Sequence, residues 1–243
     1  MLTLINLDAA VARRELMAEQ LDTLGVTYER VGVDLRKVSD AAIDAWLARH
    51  LPGIGFDRAE LSGAEIGCWC SHLMAWKRLA ASVDHAATVI EDDLLLSANF
   101  GEAINVLAQN SPFDVVFLGT SSRNISTRKR TSIDGVHVHA PVGAIFNTWG
   151  YTIARHYVVQ FFAQPRSLAV PIDHWLGDRC RTLKPTIAVV RPALVEEDRA
   201  SGLDSQIEPH TMRIDRWKIV EHTRRAMLAS RVSDFYYALY RFL

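Results

Sequence analysis

The sequence predicts an α/β protein: a mixed, mostly parallel sheet flanked by helices, with a C-terminal helical extension. Three observations carry this expectation. Residues 2–33 read as strand, helix, strand, the βαβ unit from which parallel sheets are built. Residues 87–90 (Ala-Thr-Val-Ile) form an apolar, β-branched run that stops at Glu91-Asp92-Asp93. Ligands of open α/β sheets sit outside the carboxyl ends of the strands, where such a run would deliver its acidic residues. Residues 211–243 contain neither glycine nor proline, so helix is the natural assignment for them.

Taken in order, residues 2–7 (LTLINL) form a first strand. Asp8 is a fair N-cap for a helix through about Leu24, with Val11, Leu16, Leu21 and Leu24 inward and Arg13, Arg14, Glu15 and Glu19 outward. Gly25 closes that helix as a C′ residue. Residues 27–33 read as the second strand, 39–50 as a helix and 51–57 as a Gly/Pro-rich loop. Ser62-Gly-Ala-Glu65 is a capping box, and its helix runs to about Ala81. On that helix Cys68, His72, Ala75/Trp76 and Leu79 share a face. Residues 99–109 are helical and 112–119 form a strand. Residues 120–135 are polar and basic, the most loop-like part of the chain: either a lid beside a site or a solvated surface loop. A strand-like stretch over 136–146, a helix over 154–163, another helix beginning near Asp173 and a last core strand over 186–190 complete the body.

The 243 residues are 49% hydrophobic and 23% charged, an ordinary globular balance. No stretch approaches the roughly 20 apolar residues of a membrane span. The first residues lack a basic segment before the apolar run, so no signal peptide is expected. Cys68, Cys70 and Cys180 are odd in number and fit no zinc spacing, so they read as reduced thiols of a cytoplasmic protein. A net charge of −1 gives no reason to expect nucleic acid as a partner. The charge is uneven: residues 211–243 carry +4 and the preceding 210 carry −5. The expected division is a domain over 1–210 and a basic, aromatic helical tail over 211–243. Such a tail either lies on an anionic membrane surface or covers the domain or a dimer interface.

Three adjacent carboxylates at a strand end are costly unless paired or holding a cation. Hard divalent cations take oxygen ligands and share them with substrate phosphates, which is the chemistry of a D-x-D-like motif. The alternative is a solvated acidic turn. His72 is either a core histidine bonded to backbone or a side chain reaching a ligand at the sheet edge. Asp173, near a helix start, is also placed where the helix dipole favours a carboxylate.

The pieces together resemble glycosyltransferase family 25, the lipopolysaccharide and lipooligosaccharide biosynthesis transferases. They are Ile5-Asn6-Leu7-Asp8 with Arg13-Arg14; Gly63-Ala64-Glu65-Ile66-Gly67-Cys68 with Ser71-His72-Leu73 and Trp76; Val89-Ile90-Glu91-Asp92-Asp93; Phe117-Leu118-Gly119; Gly150-Tyr151 with Ile153; and Pro171-Ile172-Asp173. The resemblance covers roughly residues 2–207 and departs at Ala64, where many members have glycine. It matches weakly over 186–207 and leaves the tail outside.

The resemblance implies a GT-A-like, Rossmann-type fold and inverting transfer of a hexose, often galactose from UDP-galactose, to a saccharide or glycolipid acceptor. It implies Mn²⁺ or Mg²⁺ on Asp93 and Glu91, with Glu91 also facing the donor ribose or a metal-bound water, and Asp92 either among the donor-binding residues or turned away. Asn6 and Leu7 lie where uracil or ribose is recognised, Arg14 is favoured over Arg13 for phosphate, and Ser71 and His72 face the donor. Asp173 is the expected general base, with Glu197 and Asp198 in reserve. Trp149 and Tyr151 either stack on a sugar or belong to the core; Trp46, Trp76 and Trp175 are core. Competing functions are a non-catalytic nucleotide-sugar or glycan binding module and a hydrolase. The expected location is the cytoplasm; peripheral contact at the inner face of a bacterial membrane is one of the two readings of the tail, the other being that it covers the domain or a dimer interface.

Overall fold

The computed structural model describes residues 1–120, 125–142, 145, 149–177 and 185–198. The expected tail, Cys180 and part of the 120–135 segment lie outside the described residues.

The chain begins β1 (Leu2–Ile5), α1 (Val11–Thr23), β2 (Glu29–Val31), α2 (Asp40–His50), β3 (Ile54–Phe56), α3 (Gly63–Ala81) and β4 (Ala86–Glu91). It continues β5 (Leu94–Leu96), α4 (Phe100–Asn110), β6 (Val115–Phe117), β7 (Ile125–Ile133), β8 (Val136–Pro141) and β9 (Gly150–Ala154). It ends α5 (Arg155–Phe162), β10 (Arg166–Leu168), α6 (Ile172–Gly177), β11 (Ile187–Val190) and β12 (Val195–Glu197).

Eight strands form one sheet in the order β2-β1-β4-β9-β6-β11-β8-β7. Six of them run in one direction; β8 and β9 run against it. The sheet is therefore mixed, as expected for this α/β class. Two short pairs stand apart, β3 with β10 and β5 with β12.

Alternate residues of each strand face opposite sides, and the core divides accordingly. Ile5, Val89, Phe117, Tyr151 and Val189 join α2, α3, α5 and α6 on one face. Leu4, Ile90, Val116 and Val190 join α1 and α4 on the other. Central strands buried on both faces explain the continuous apolar run before Glu91.

Several local expectations are corrected. Helix α1 starts after Ala10 with no side-chain cap; Asp8 instead pairs with Arg30. Val11 and Leu16 are exposed, while Arg13, Met17 and Leu21 turn inward. The inward stripe is thus set by Met17 and Leu21, four residues apart, and it carries Arg13 with it. The supposed loop over 120–135 contains β7, an edge strand paired to β8. Polar and basic residues suit an edge exposed to water. Its turn is Asp134-Gly135, both with positive φ (43° and 91°), the signature of a tight hairpin. Residues 54–56, also expected as loop, pair with β10.

Other expectations are met. The capping box is present: Ser62 Oγ accepts from Glu65 N–H (3.3 Å) and Glu65 Oε2 accepts from Ser62 N–H (2.7 Å). Gly25 has φ +65° at the end of α1. Gly67 is required by close approach: a Cβ there would lie 2.6 Å from Val33 O. This brings α3 directly against the segment that follows β2.

Candidate active site

β1 and β4 are parallel neighbours, and Ile5 lies opposite Glu91 at their carboxyl ends. From β1 the chain first moves outward to β2, then returns to β4 on the other side of β1. Open α/β sheets bind ligands where the strand order reverses in this way. A cleft opens there, lined by the ends of β1, β2 and β4 and by α3. Asn6 and Leu7 follow β1, Arg13 projects from α1, and Asp34 and Arg36 follow β2. Cys68 and Ser71 come from α3, and Glu91, Asp92 and Asp93 from the end of β4.

The acidic residues are organised by two neighbours. Arg13 Nη1 donates to Asp92 Oδ1 (2.9 Å) and reaches Asp93 Oδ2 (3.3 Å). Asn6 Nδ2 donates to Asp92 Oδ2 (2.6 Å) and to Ala10 O (3.0 Å). Both amide hydrogens of Asn6 are thus committed inside the protein, where its side chain fixes Asp92, while the residue lines the cleft. Asp93 Oδ1 is buried without a hydrogen-bond partner. Burial, with the charges of Glu91 and Asp92, pushes Asp93 up to about 6 against the pull of Arg13. Burial also raises Asp92, although Asn6 and Arg13 oppose it.

Arg13 is the cation that sequence reasoning placed on the outside. Arg14, the expected phosphate contact, is half-buried and lies outside the cleft lining. Replacing Arg13 by methionine keeps most of the apolar stem but leaves two largely buried carboxylates without their counter-charge. Arg13→Met is expected to cost on the order of 3 kcal/mol of stability, read as a shift of the urea midpoint with unchanged slope.

The α3 wall is held by internal bonds. Ser71 Oγ donates to Gly67 O (2.8 Å) and accepts from Val33 N–H (2.9 Å). Its hydroxyl therefore ties the segment after β2 to the helix while the residue lines the cleft. His72 is fully buried, and its Nδ1 lies 2.7 Å from Tyr151 Oη. Trp76 Nε1 donates to the same Oη (2.9 Å). Tyr151 is therefore a core residue, which corrects its expected alternative as a sugar-stacking platform. Trp149 is half-buried against the core face of α1 and α4. Trp76 and Trp175 are core as expected, and Trp46 packs against the core's edge. Tyr151→Phe removes the shared hydrogen-bond partner of two buried groups. The expected loss is about 2–4 kcal/mol, measurable by chemical denaturation of the folded variant.

Asp173 sits in the first turn of α6, and its Oδ1 accepts from His174 N–H (2.8 Å). It is not among the residues that line the cleft, but it is near enough to Cys68 for its charge, after burial and the charge of Glu91, to help push that thiol far up. Glu197 and Asp198 also come close to the acidic cluster. β12 pairs with β5, Glu197 facing Leu94, and Asp198 N–H donates to Asp93 O (2.8 Å).

The family model for glycosyltransferase family 25 (LPS biosynthesis protein) matches residues 2–140, more than half of the chain. This chain belongs to glycosyltransferase family 25. Curated family 25 relatives include a glycosyltransferase 25 family member of Anopheles gambiae, 29% identical over 181 residues. Procollagen galactosyltransferase 1 of Danio rerio is 24% identical over 182 residues. Inactive glycosyltransferase 25 family member 3 of Homo sapiens is 25% identical over 181. Each match covers 71% of this chain but only 30% of the relative. The family 25 chain thus spans about three tenths of the length of the curated relatives it matches. Among solved structures, the inositol-1-phosphate CTP transferase from T. maritima aligns over 84% of this chain and 72% of that one. Its identity is 15% and its TM-score 0.35, a likeness too slight to argue from.

Proposed function

We propose that this family 25 chain is a metal-dependent, inverting hexosyltransferase. It takes a hexose, galactose first among candidates, from a UDP-sugar. The acceptor is a saccharide of lipopolysaccharide or lipooligosaccharide. The observation that supports this best is the charge balance of the cleft. Glu91, Asp92 and Asp93 carry three negative charges when ionised, and Arg13 offsets one. The remaining −2, with the unpartnered oxygen of Asp93, fits a hard divalent ion held by carboxylate oxygens. Asp93 and Glu91 would hold Mn²⁺ or Mg²⁺. When bound, that ion supplies Lewis-acid stabilisation of the charge that grows on the departing nucleoside diphosphate.

The chain's own residues do the rest. Asn6 and Arg13 hold Asp92, and through it the strand end, in place before the donor arrives. Leu7 and the segment after β2, pinned by Ser71, form the walls against which the nucleoside lies. Arg36, at the rim, is neutralised by its ion pair with Asp34, so the pair leaves the charge balance of the cleft unchanged. Asp173 accepts the proton of the attacking hydroxyl, which approaches the face of the sugar opposite the leaving group. Glu197 and Asp198 stand second in line for that role.

A curated relative is named as inactive, so binding without turnover is the competing reading. Incubation with UDP-galactose and Mn²⁺, with and without a galactose-accepting oligosaccharide, separates the two. UDP release that depends on acceptor supports the transferase. Saturable donor binding with no UDP release makes the chain a binding module, and release to water alone makes it a hydrolase.

A further inference from the structure

Cys68 and His72 are one helical turn apart on α3, so they project from the same side of it. Glu91 faces them from the end of β4. One ligand atom from each residue, the Cys68 sulfur, a His72 ring nitrogen and a Glu91 carboxylate oxygen, lies within 4.8 Å of the other two. His72 is completely buried, and its Nε2 has no hydrogen-bond partner. The nearest carboxylate oxygen to Nε2 is Glu91 Oε1 at 3.6 Å. A buried ring nitrogen left in this state is costly. Its other nitrogen is held by Tyr151 (2.7 Å), the kind of outer contact that orients a ligating histidine.

We propose that Cys68, His72 and Glu91 form a binding site for a thiophilic divalent cation of the Zn²⁺ type in the wall of the cleft. This site shares Glu91 with the all-oxygen group centred on Asp93 and differs from it in its sulfur and nitrogen donors. A thiolate, an imidazole and one carboxylate are a softer donor set than carboxylates alone. They favour Zn²⁺ over Mg²⁺ or Mn²⁺. Zinc bond lengths of about 2.0–2.3 Å place tetrahedral ligand atoms about 3.3–3.7 Å apart. His72 and Glu91 already stand at 3.6 Å, so a small movement of Cys68 completes the set. Three protein ligands leave the fourth position open, and Cys68 and Glu91 both line the cleft.

Loading balances as follows. The Cys68 thiol loses its proton to solvent and binds as thiolate. His72 binds through the lone pair of Nε2, with its proton on Nδ1 directed to Tyr151 Oη. Tyr151 then accepts from both His72 and Trp76. Glu91 belongs to both metal groups, so a thiophilic ion here withdraws it from the donor side. This last consequence rests on the proposed transferase reading; the binding itself does not.

The test uses the full chain, freed of metal and titrated with Co²⁺ in the absence of any donor. The expected result is a near-ultraviolet thiolate-to-cobalt charge-transfer band. Zn²⁺ should displace it and a large excess of Mg²⁺ should not. Cys68→Ser should abolish the band. Cys70→Ser, which alters a thiol buried in the core, should keep it. If Cys68→Ser fails to give a native circular dichroism spectrum, Glu91→Gln serves instead. It should retain the band but weaken Co²⁺ binding at least about tenfold, the lower end of what losing even an outer partner costs. No band in the wild type overturns the proposal. So does a band that survives in folded Cys68→Ser, or unchanged affinity in Glu91→Gln.

Discussion

Asp93→Ala is expected to remove metal-dependent donor binding and to lower turnover by about 10³-fold or more. Lewis-acid stabilisation of a departing diphosphate contributes several kcal/mol to the transition state, and each 1.36 kcal/mol is about tenfold in rate. The same change should not harm the fold. Asp93 has a buried oxygen with no partner and two acidic neighbours, so its removal relieves repulsion. The pH dependence gives the sign. Asp93 titrates at about 6 in the folded protein against an ordinary value of 3.8. Between those values the native state holds a proton that the unfolded chain has released, so this carboxyl makes the protein less stable as pH rises through that window. The raised value corresponds to about 3 kcal/mol, and loss of the Arg13 contact offsets part of it. Without metal, Asp93→Ala should therefore exceed the wild type by about 1–2 kcal/mol at pH 7. The difference should close near pH 4. Thermal denaturation across that range measures it, and a variant less stable than wild type at pH 7 contradicts the account.

Asp173→Asn should lower turnover by on the order of 10²–10⁴ while leaving donor affinity nearly unchanged. The amide keeps the shape of the carboxylate, and its oxygen can still accept from His174 N–H, so α6 retains its first turn. What it loses is the capacity to take a proton from the attacking hydroxyl. Steady-state kinetics with varied donor and acceptor separate the outcomes. A large rise in donor KM with a modest fall in kcat would make Asp173 a binding residue and shift the base to Glu197 or Asp198.

Much of the framework was legible because strong local signals agree with the global fold. The βαβ opening, the capping box at Ser62 and the apolar run into Glu91 each have one physical reading. The errors arose where tertiary contacts override local pattern. Arg13 looks like a surface residue in any scan for charge, yet Met17 and Leu21 fix an inward stripe that carries it to Asp92. The position of Asn6 at a strand end points toward a ligand and says nothing of its internal bonds. Only the fold reveals that Asp92 and Ala10 take both its amide hydrogens. Tyr151 was open between sugar contact and core until Trp76 and His72 converged on its hydroxyl. The hairpin at Asp134-Gly135 was readable, since that dipeptide favours such turns, but the basic residues around it concealed the strand. The approach of Asp198 to Asp93 depends on the pairing of β12 with β5 across about a hundred residues, and no local signal encodes it.

The central claim is that the acidic cluster binds the donor's diphosphate through a divalent ion. Calorimetric titration of the metal-free chain with UDP tests it directly, first in EDTA and then in Mn²⁺. The account predicts saturable binding in Mn²⁺, none measurable in EDTA, and none in either condition for Asp93→Ala. Equal UDP affinity in EDTA and in Mn²⁺, or full affinity in Asp93→Ala, would contradict it.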